Sequence, residues 1–162
     1  MHHRNETHGA MNPEMVRRHY VMLGVNLILS LFIMYIAMFV MIWSWGEFIQ
    51  NINFFYMALV MWAPMAAVML LTMKAMYPNK KLNSVLYALF GVVFVLSLWG
   101  VRDQLAVTDK QFLRSMIPHH SGAILMCEKA KLSASELRTL CGQIIQSQKQ
   151  EIQQMKVILA RK

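Results

Sequence analysis

The chain has 162 residues, of which 57% are hydrophobic and 15% are charged, whereas soluble domains carry about 25% charged residues. This composition excludes an ordinary soluble domain, because too little polar surface is present to cover the long apolar blocks. The net charge of +8 does not indicate nucleic-acid binding, since the basic residues are scattered and not interleaved with exposed aromatic residues. Attraction to the anionic headgroups of a lipid bilayer is the simpler explanation.

Three apolar blocks precede residue 102 and predict three transmembrane helices. None contains a charged residue, and they span residues 20–45, 54–73 and 82–101. Each is close to the about 20 residues that a helix needs to cross a bilayer. We therefore predict an all-α membrane protein with four parts: a cytoplasmic tail (1–18), a three-helix transmembrane region (19–101), a linker (102–107) and a C-terminal helical hairpin (108–162).

Basic residues at the ends of these blocks predict the orientation in the membrane. They flank the first block and fill the second connection, and they are Arg4, Arg17, Arg18, Lys74, Lys80 and Lys81. The first connection has Glu47 and no Lys or Arg. The positive-inside rule then places the N-terminus in the cytoplasm and, after three crossings, the hairpin outside it. We expect a multi-pass protein of a bacterial inner membrane with a periplasmic or extracellular hairpin.

Methionine accounts for 16 residues, and several recur every four residues in the second block. Thioethers at this spacing suggest a path for Cu(I) through the membrane. We favour ordinary apolar filling instead, because a transport path usually also holds buried polar groups. The methionines of this series are Met57, Met61, Met65, Met69 and Met73.

The C-terminal part of the sequence is amphipathic and predicts two helices joined by a short turn. A capping box formed by Thr108 and Gln111 starts a helix that runs to about residue 131. A second capping box, formed by Ser133 and Glu136, opens a helix that runs to about residue 160. Helices joined by so short a turn lie antiparallel. Because a lone hairpin cannot bury both faces, we expect it to pack on a second copy or on another protein.

Pro118 lies inside the first of these helices, directly before two histidines. A proline in a helix removes one backbone hydrogen bond and clashes with the carbonyl four residues earlier. We expect either a kink at this point or the start of a new helix with Pro118 at its first position. In both cases the proline sets the direction in which His119 and His120 project.

Side chains with metal-binding chemistry face one another if the turn centres near residue 134. His120 is then opposite Gln148, and Met116 lies near Glu151. Two seams compete on the second helix, and Glu151 lies either within the seam or at its edge. Imidazole with sulfur donors favours copper, above all Cu(I), whereas imidazole with carboxylate would also suit Zn(II).

Cys127 and Cys141 face each other in the same register, and three interpretations are open. They are buried apolar thiols, a disulfide across the hairpin, or a thiolate pair for Cu(I). A disulfide is chemically plausible outside the cytoplasm, but only the geometry of the two residues decides the matter.

A longer motif runs through both helices of the hairpin. It comprises Asp109, Phe112, the run MIPHH at residues 116–120, Ala123, Ile124 and Met126, followed by Ile144, Ile145, Gln148, Glu151, Ile152 and Met155. This motif resembles the family known as domain of unknown function 305. The resemblance covers about a third of the chain and implies a ferritin-like helical bundle. Several members of that family are exported and are associated with copper binding and copper resistance.

The resemblance also implies roles for individual residues. The implied metal ligands are Met116, His119, His120 and Met126. The residues implied to line or support the site are Asp109, Gln148 and Glu151, and we add Met155 as a further supporting candidate. The two cysteines are not part of the family pattern. Because this chain has one such hairpin and not the duplicated pair of longer family members, we expect a homodimer whose two hairpins build one four-helix bundle.

Together these features predict a membrane-anchored protein that binds copper, to buffer it or to pass it to a metallochaperone or another copper-handling protein. Cu(I) is the favoured ion and zinc is the alternative. We expect no enzymatic activity and assign no catalytic residue, because the sequence has no nucleophile motif and no Gly-rich phosphate loop. The alternative function is a membrane subunit whose hairpin docks a partner protein without metal.

Overall fold

Residues 12–162, which this computed structural model describes, form five α-helices, one short 3-10 helix and no strand. The helices are α1 (Pro13–Ala37), α2 (Ile52–Thr72), α3 (Lys80–Arg102), α4 (Asp109–Lys129) and α5 (Ser135–Ala160). The short 3-10 helix, Trp45–Glu47, lies between α1 and α2. The all-helical fold is therefore confirmed. Residues 1–11 of the predicted tail lie outside the described residues.

Helices α1, α2 and α3 are long and apolar enough to cross a membrane, which confirms the prediction of three such helices. An asparagine caps the start of each: the side chains of Asn12, Asn51 and Asn79 accept hydrogen bonds from nearby backbone N–H groups. Such caps satisfy donors that a helix leaves free at its start. The capping asparagine therefore identifies the first residue of each helix more accurately than the first residue of the apolar block does.

Helix α1 is displaced from its predicted position, residues 20–45. It begins at Pro13, because the Asn12 cap and a proline at the first helical position favour a helix start there. It ends at Ala37, and the chain that follows turns towards α4. The backbone N–H of Trp43 donates to Ser121 Oγ at 2.5 Å. The apolar block therefore contains most of α1 together with the start of the connection that packs on the hairpin.

The three long helices pack through small residues of α2. Ala63 and Ala66 are buried against Leu23 and Leu27 of α1 and Phe90 of α3. Small side chains let membrane helices approach closely. Most of the remaining surface of these helices is apolar and exposed, as a lipid-facing surface requires.

The methionine series of α2 does not follow an enclosed path. Met57 and Met61 are 45% and 44% exposed on the outer surface of the helix. Met69 packs against the edge of the apolar core. Their positions agree with ordinary apolar filling, for which methionine is well suited because its side chain is flexible.

Helices α4 and α5 form the predicted antiparallel hairpin. The two helices are linked at both ends of the hairpin. An ion pair between Asp109 and Lys162 links them at the open end, and a disulfide links them next to the turn. The first capping box is half correct: Thr108 accepts a hydrogen bond from the Gln111 N–H, but the Gln111 side chain accepts instead from the N–H of Ile52 at 3.2 Å.

The second predicted capping box is wrong. The residue at the N-cap of α5 is Ala134, which has no side-chain cap. The backbone is extended at Ala130 and at Ala134, so α5 begins one residue later than Ser133 would require. The tight turn and the disulfide hold this end of α5 without a capping side chain.

Helix α4 runs unbroken through Pro118, so the interpretation in which a new helix starts at this proline is wrong. Pro118 is buried, His119 is exposed and His120 is half-buried. Because neighbouring residues on an α-helix project about 100° apart, an unbroken helix separates the two imidazoles instead of aiming both at one face.

The connection between α1 and α2, residues 38–51, covers one face of α4. Ile49 packs against the buried cluster of Ile117, Ile124 and Ile152 that joins the two helices of the hairpin. The α1–α2 connection therefore supplies, from the same chain, part of the packing that the hairpin was expected to require from a partner. The connection and the hairpin also lie at the same end of the three long helices, as three crossings require.

Candidate metal centre

His120 and Glu151 meet across the interface between α4 and α5. The Glu151 Oε2 atom lies 2.9 Å from the Nδ1 atom of His120, whose side chain is only 15% exposed. The carboxylate lies off the direction in which a ring N–H would point, so Nδ1 is buried without an aligned hydrogen bond. The residue found beside His120 is thus one helical turn beyond Gln148, the residue predicted to face it.

Two neighbours on α5 hold the Glu151 carboxylate in place. Ser147 Oγ donates to Oε1 at 2.7 Å, and Gln148 Nε2 donates to Oε2 at 3.4 Å. Gln148 therefore supports the carboxylate instead of contacting the imidazole directly. Ser147 was not among the predicted residues, although its position four residues before Glu151 puts it on the same helix face.

The four predicted ligands do not point to one place: two of them are half-buried in the hairpin and two are exposed on its surface. Met116 is half-buried, and it lies four residues before His120, one turn earlier on the same side of α4. His119 is exposed, and its ring centroid lies 6.1 Å from that of His120. Met126 is 57% exposed. One chain thus places Met116 and His120 together, and it directs His119 and Met126 outwards.

A complete ligand set is not assembled within one chain. Among residues 12–162, no three His, Cys, Asp or Glu side chains form a group that could hold a metal ion. The donors that do converge are the imidazole of His120 and the carboxylate of Glu151, and the thioether of Met116 lies one turn away. Further donors would have to come from a second chain or from rotation of the exposed side chains.

Two further predicted supporting residues, Asp109 and Met155, lie in different surroundings. Asp109 is exposed at the far end of the hairpin. Its hydrogen bond to Lys162 and the positive charge of that lysine hold the pKa of Asp109 below its usual value. Met155 packs against the buried isoleucine cluster of the hairpin, where it fills space between apolar side chains.

Cys127 and Cys141 form a disulfide with their Cα atoms 5.2 Å apart, within the usual range for this bond. The structure thereby selects one of the three interpretations, and in this form neither sulfur is a thiolate ligand. Cys127 lies two turns beyond His120 on the same side of α4. The disulfide closes the hairpin beside the turn and fixes the register that brings His120 to Glu151.

The hairpin keeps one open face, on the side away from the α1–α2 connection. Lys149 and Lys156 of α5 contact that connection, whereas Glu151 projects from the other side of the helix. His120 and Glu151 lie near the middle of the open face. The exposed apolar residues on it are Phe112, Met126, Leu140 and Ile158.

A second polar cluster, which the sequence did not predict, ties the hairpin to the α1–α2 connection. Glu47 is only 3% exposed, and its Oε2 accepts a hydrogen bond from Ser121 Oγ at 2.5 Å. Lys156 Nζ lies 3.5 Å from the other carboxylate oxygen. Ser121 Oγ in turn accepts from the N–H of Trp43 at 2.5 Å. We call Glu47, Ser121, Trp43 and Lys156 the clamp.

The clamp continues into an exposed group around the indole of Trp43. Its Nε1 donates to Glu128 at 2.7 Å, and Lys149 lies 3.2 Å from the same carboxylate and 4.3 Å from the centre of the indole ring. The hydrogen bond from Trp43 and the charge of Lys149 lower the pKa of Glu128. The sole hint in the sequence was that Glu47 is the one charged residue of the first connection.

Comparison with known proteins agrees with the position of this site. The family model described as domain of unknown function (DUF305) matches residues 97–159, from the last turns of α3 to the end of α5. The uncharacterized protein L153 of Acanthamoeba polyphaga mimivirus is 31% identical over 118 residues, which cover 72% of this chain and 76% of the viral protein. That alignment is longer than the hairpin, so the similarity extends into the apolar helices. No solved structure matches the chain.

Proposed function

The chain belongs to the family of domain of unknown function 305, and on that premise we propose that it is a membrane-anchored protein that binds copper at the His120–Glu151 pair. The observation that carries the proposal is the buried Nδ1 atom of His120, which lies 2.9 Å from a carboxylate oxygen without an aligned hydrogen bond. A small rotation of the ring would align an Nδ1–H with this carboxylate, and that hydrogen bond would fix the tautomer of the imidazole and leave Nε2 free to bind an ion. The role of the pair is binding, and no covalent chemistry is assigned to it.

The chemistry of the donors favours Cu(I) over Zn(II). Met116 adds a thioether one turn from His120, and soft sulfur ligands select Cu(I). Zinc sites in proteins use thiolate, imidazole and carboxylate ligands, so the thioether of Met116 does not contribute to a zinc site. Zinc is therefore the weaker alternative.

A second hairpin packed on the open face would complete both the bundle and the ligand set. The exposed apolar side chains of this face, Phe112, Met126, Leu140 and Ile158, are suited to the core of a four-helix bundle. A homodimer would bring a second Met116 and a second His120 to the same interface. We propose that this dimer forms the ferritin-like bundle expected of the family.

The proposed location is a bacterial inner membrane, with α1–α3 in the bilayer and the hairpin on the periplasmic or extracellular side. Two features support it: the basic residues near the start of α1 and between α2 and α3, and the disulfide, which is typical of compartments outside the cytoplasm. From that side the hairpin would buffer copper or deliver it to a metallochaperone or another copper-handling protein.

The double substitution His119→Ala/His120→Ala tests the proposal. We expect the purified variant to lose stoichiometric copper while its helical content, measured by circular dichroism, is unchanged. A matched control is Gln153→Ala/Gln154→Ala, which changes two adjacent exposed residues of α5. Copper retained by the histidine variant at the level of the control would overturn the assignment.

The open apolar face also favours a second candidate function, a membrane subunit that docks a partner protein without metal. In that case the histidines would be interface residues, and His120 would serve as a pH-sensing group. This candidate predicts that the protein binds no copper or zinc and that it is recovered in a stable complex with another protein. The copper measurement therefore separates the two functions.

A further inference from the structure

Helix α1 presents a second apolar face that no other described element covers. Its residues recur with alternating spacings of three and four, the pattern of the contact seam in a left-handed helical pair. All of them are exposed, while Leu23 and Leu27 of the same helix are buried against α2. The seam comprises Met22, Asn26, Leu29, Ile33 and Ile36.

Asn26 is the one polar member of this seam. It lies six residues beyond Tyr20, so it is roughly 9 Å along the axis from the interfacial end of the apolar run. That depth is inside a hydrocarbon layer about 30 Å thick. The Asn26 amide has no hydrogen-bond partner among the described residues, and it is exposed. In lipid, an amide that lacks a partner is strongly unfavourable.

We propose that α1 pairs with α1 of a second copy of this chain, with the two Asn26 side chains hydrogen-bonded to each other within the bilayer. An asparagine amide both donates and accepts, so it is complementary to its own copy across a two-fold axis. A single asparagine at such a seam position is a known device for fixing the register and the two-stranded state of a helical pair. A second copy of α1 would thus cover the apolar residues of the seam and provide a hydrogen-bond partner for Asn26.

This inference rests on the membrane anchoring proposed above and is independent of copper. It adds a contact within the bilayer to the proposed pairing of the hairpins. The two contacts involve different residues, so each can be removed separately.

Single-cysteine cross-linking in lipid vesicles tests the contact. Both native cysteines are held in the disulfide, so an introduced cysteine is the only free thiol. We expect oxidative cross-links from Met22→Cys, Leu29→Cys, Ile33→Cys and Ile36→Cys. We expect none from Val21→Cys, Val25→Cys, Ile28→Cys and Phe32→Cys, which are exposed on the neighbouring surface of α1. Cross-links without this periodicity, or none from the seam positions, would overturn the proposal.

The substitution Asn26→Leu tests the role of the amide. Because leucine is more favourable in lipid than asparagine, the variant should insert and fold normally. We expect α1 association, followed by energy transfer between labelled chains in vesicles, to weaken roughly 3- to 30-fold, the range for hydrogen bonds between membrane helices. Asn26→Gln should restore part of it, and the control Val25→Leu should have no effect. Unchanged association in Asn26→Leu would contradict the proposal.

Protease protection of α1–α3 in the same vesicles distinguishes failure of this inference from failure of the proposed anchoring. If the helices are protected and α1 does not cross-link, only the α1 pairing is wrong. If they are not protected, the anchoring is wrong, and the pairing fails with it.

Discussion

Removal of the Glu151 carboxylate is expected to weaken copper binding by about 10- to 100-fold, the usual loss when a residue that orients a metal-binding imidazole is removed. In Glu151→Ala, His120 loses the carboxylate oxygen 2.9 Å from its Nδ1 atom. The imidazole is then free to rotate and to change tautomer. The measurement is a competition titration of detergent-purified protein with a Cu(I)-specific chelator.

Glu136→Ala is the matched control for this experiment, because it removes a carboxylate from the exposed first turn of the same helix. The control should retain wild-type affinity, and both variants should retain wild-type helical content. Equal affinities of Glu151→Ala and the wild type would show that the His120–Glu151 pair has no part in holding the ion. The pair would then be a structural contact between α4 and α5.

The second large effect is expected at the clamp. Ser121 is fully buried and its hydroxyl both donates to Glu47 and accepts from the Trp43 N–H. Ser121→Ala leaves a buried carboxylate oxygen and a backbone N–H without this partner, and each such loss destabilises a fold by about 1–3 kcal/mol. We expect a lower midpoint of thermal unfolding and a hairpin that separates from the α1–α2 connection. Tryptophan fluorescence during heating reports both, because Trp43 lies in the clamp.

Ser133→Ala, at an exposed position in the turn of the hairpin, is the control for the clamp. It should unfold at the same temperature as the wild type. The Ser121→Ala variant should still bind copper at temperatures where it remains folded, because His120 and Glu151 lie on the side of the hairpin away from the clamp. A wild-type unfolding midpoint for Ser121→Ala would mean that the clamp does not hold the hairpin.

Features that depend on local sequence were predictable. The apolar blocks of α1, α2 and α3 lack charges, and the length of each alone indicates a helix that can cross a membrane. The Thr108 cap and the start of α4 follow from four consecutive residues. That Cys127 faces Cys141 follows from a short turn between antiparallel helices, whereas the disulfide between them is known only from the geometry of the structure.

Features set by longer-range contacts were not predictable. Cys127 and Cys141 pair in the predicted register, but His120 meets Glu151 and not Gln148. Both α5 residues lie on the same helix face one turn apart, so which of them contacts the imidazole depends on side-chain packing that the sequence does not show. The continuation of α4 through Pro118 was also not predictable, because it depends on packing around the helix that offsets the missing backbone hydrogen bond. The clamp joins Glu47 to Ser121, which are 74 residues apart, and no local pattern indicates such a pair.

The central claim is tested most directly by the metal content of the wild-type protein. Detergent-purified protein would be dialysed separately against Cu(I), Cu(II) and Zn(II), and the metal retained per chain would be measured by mass spectrometry. We expect near-stoichiometric copper after dialysis against Cu(I) and less retained metal after dialysis against Zn(II). No retained copper under any of these conditions would contradict it.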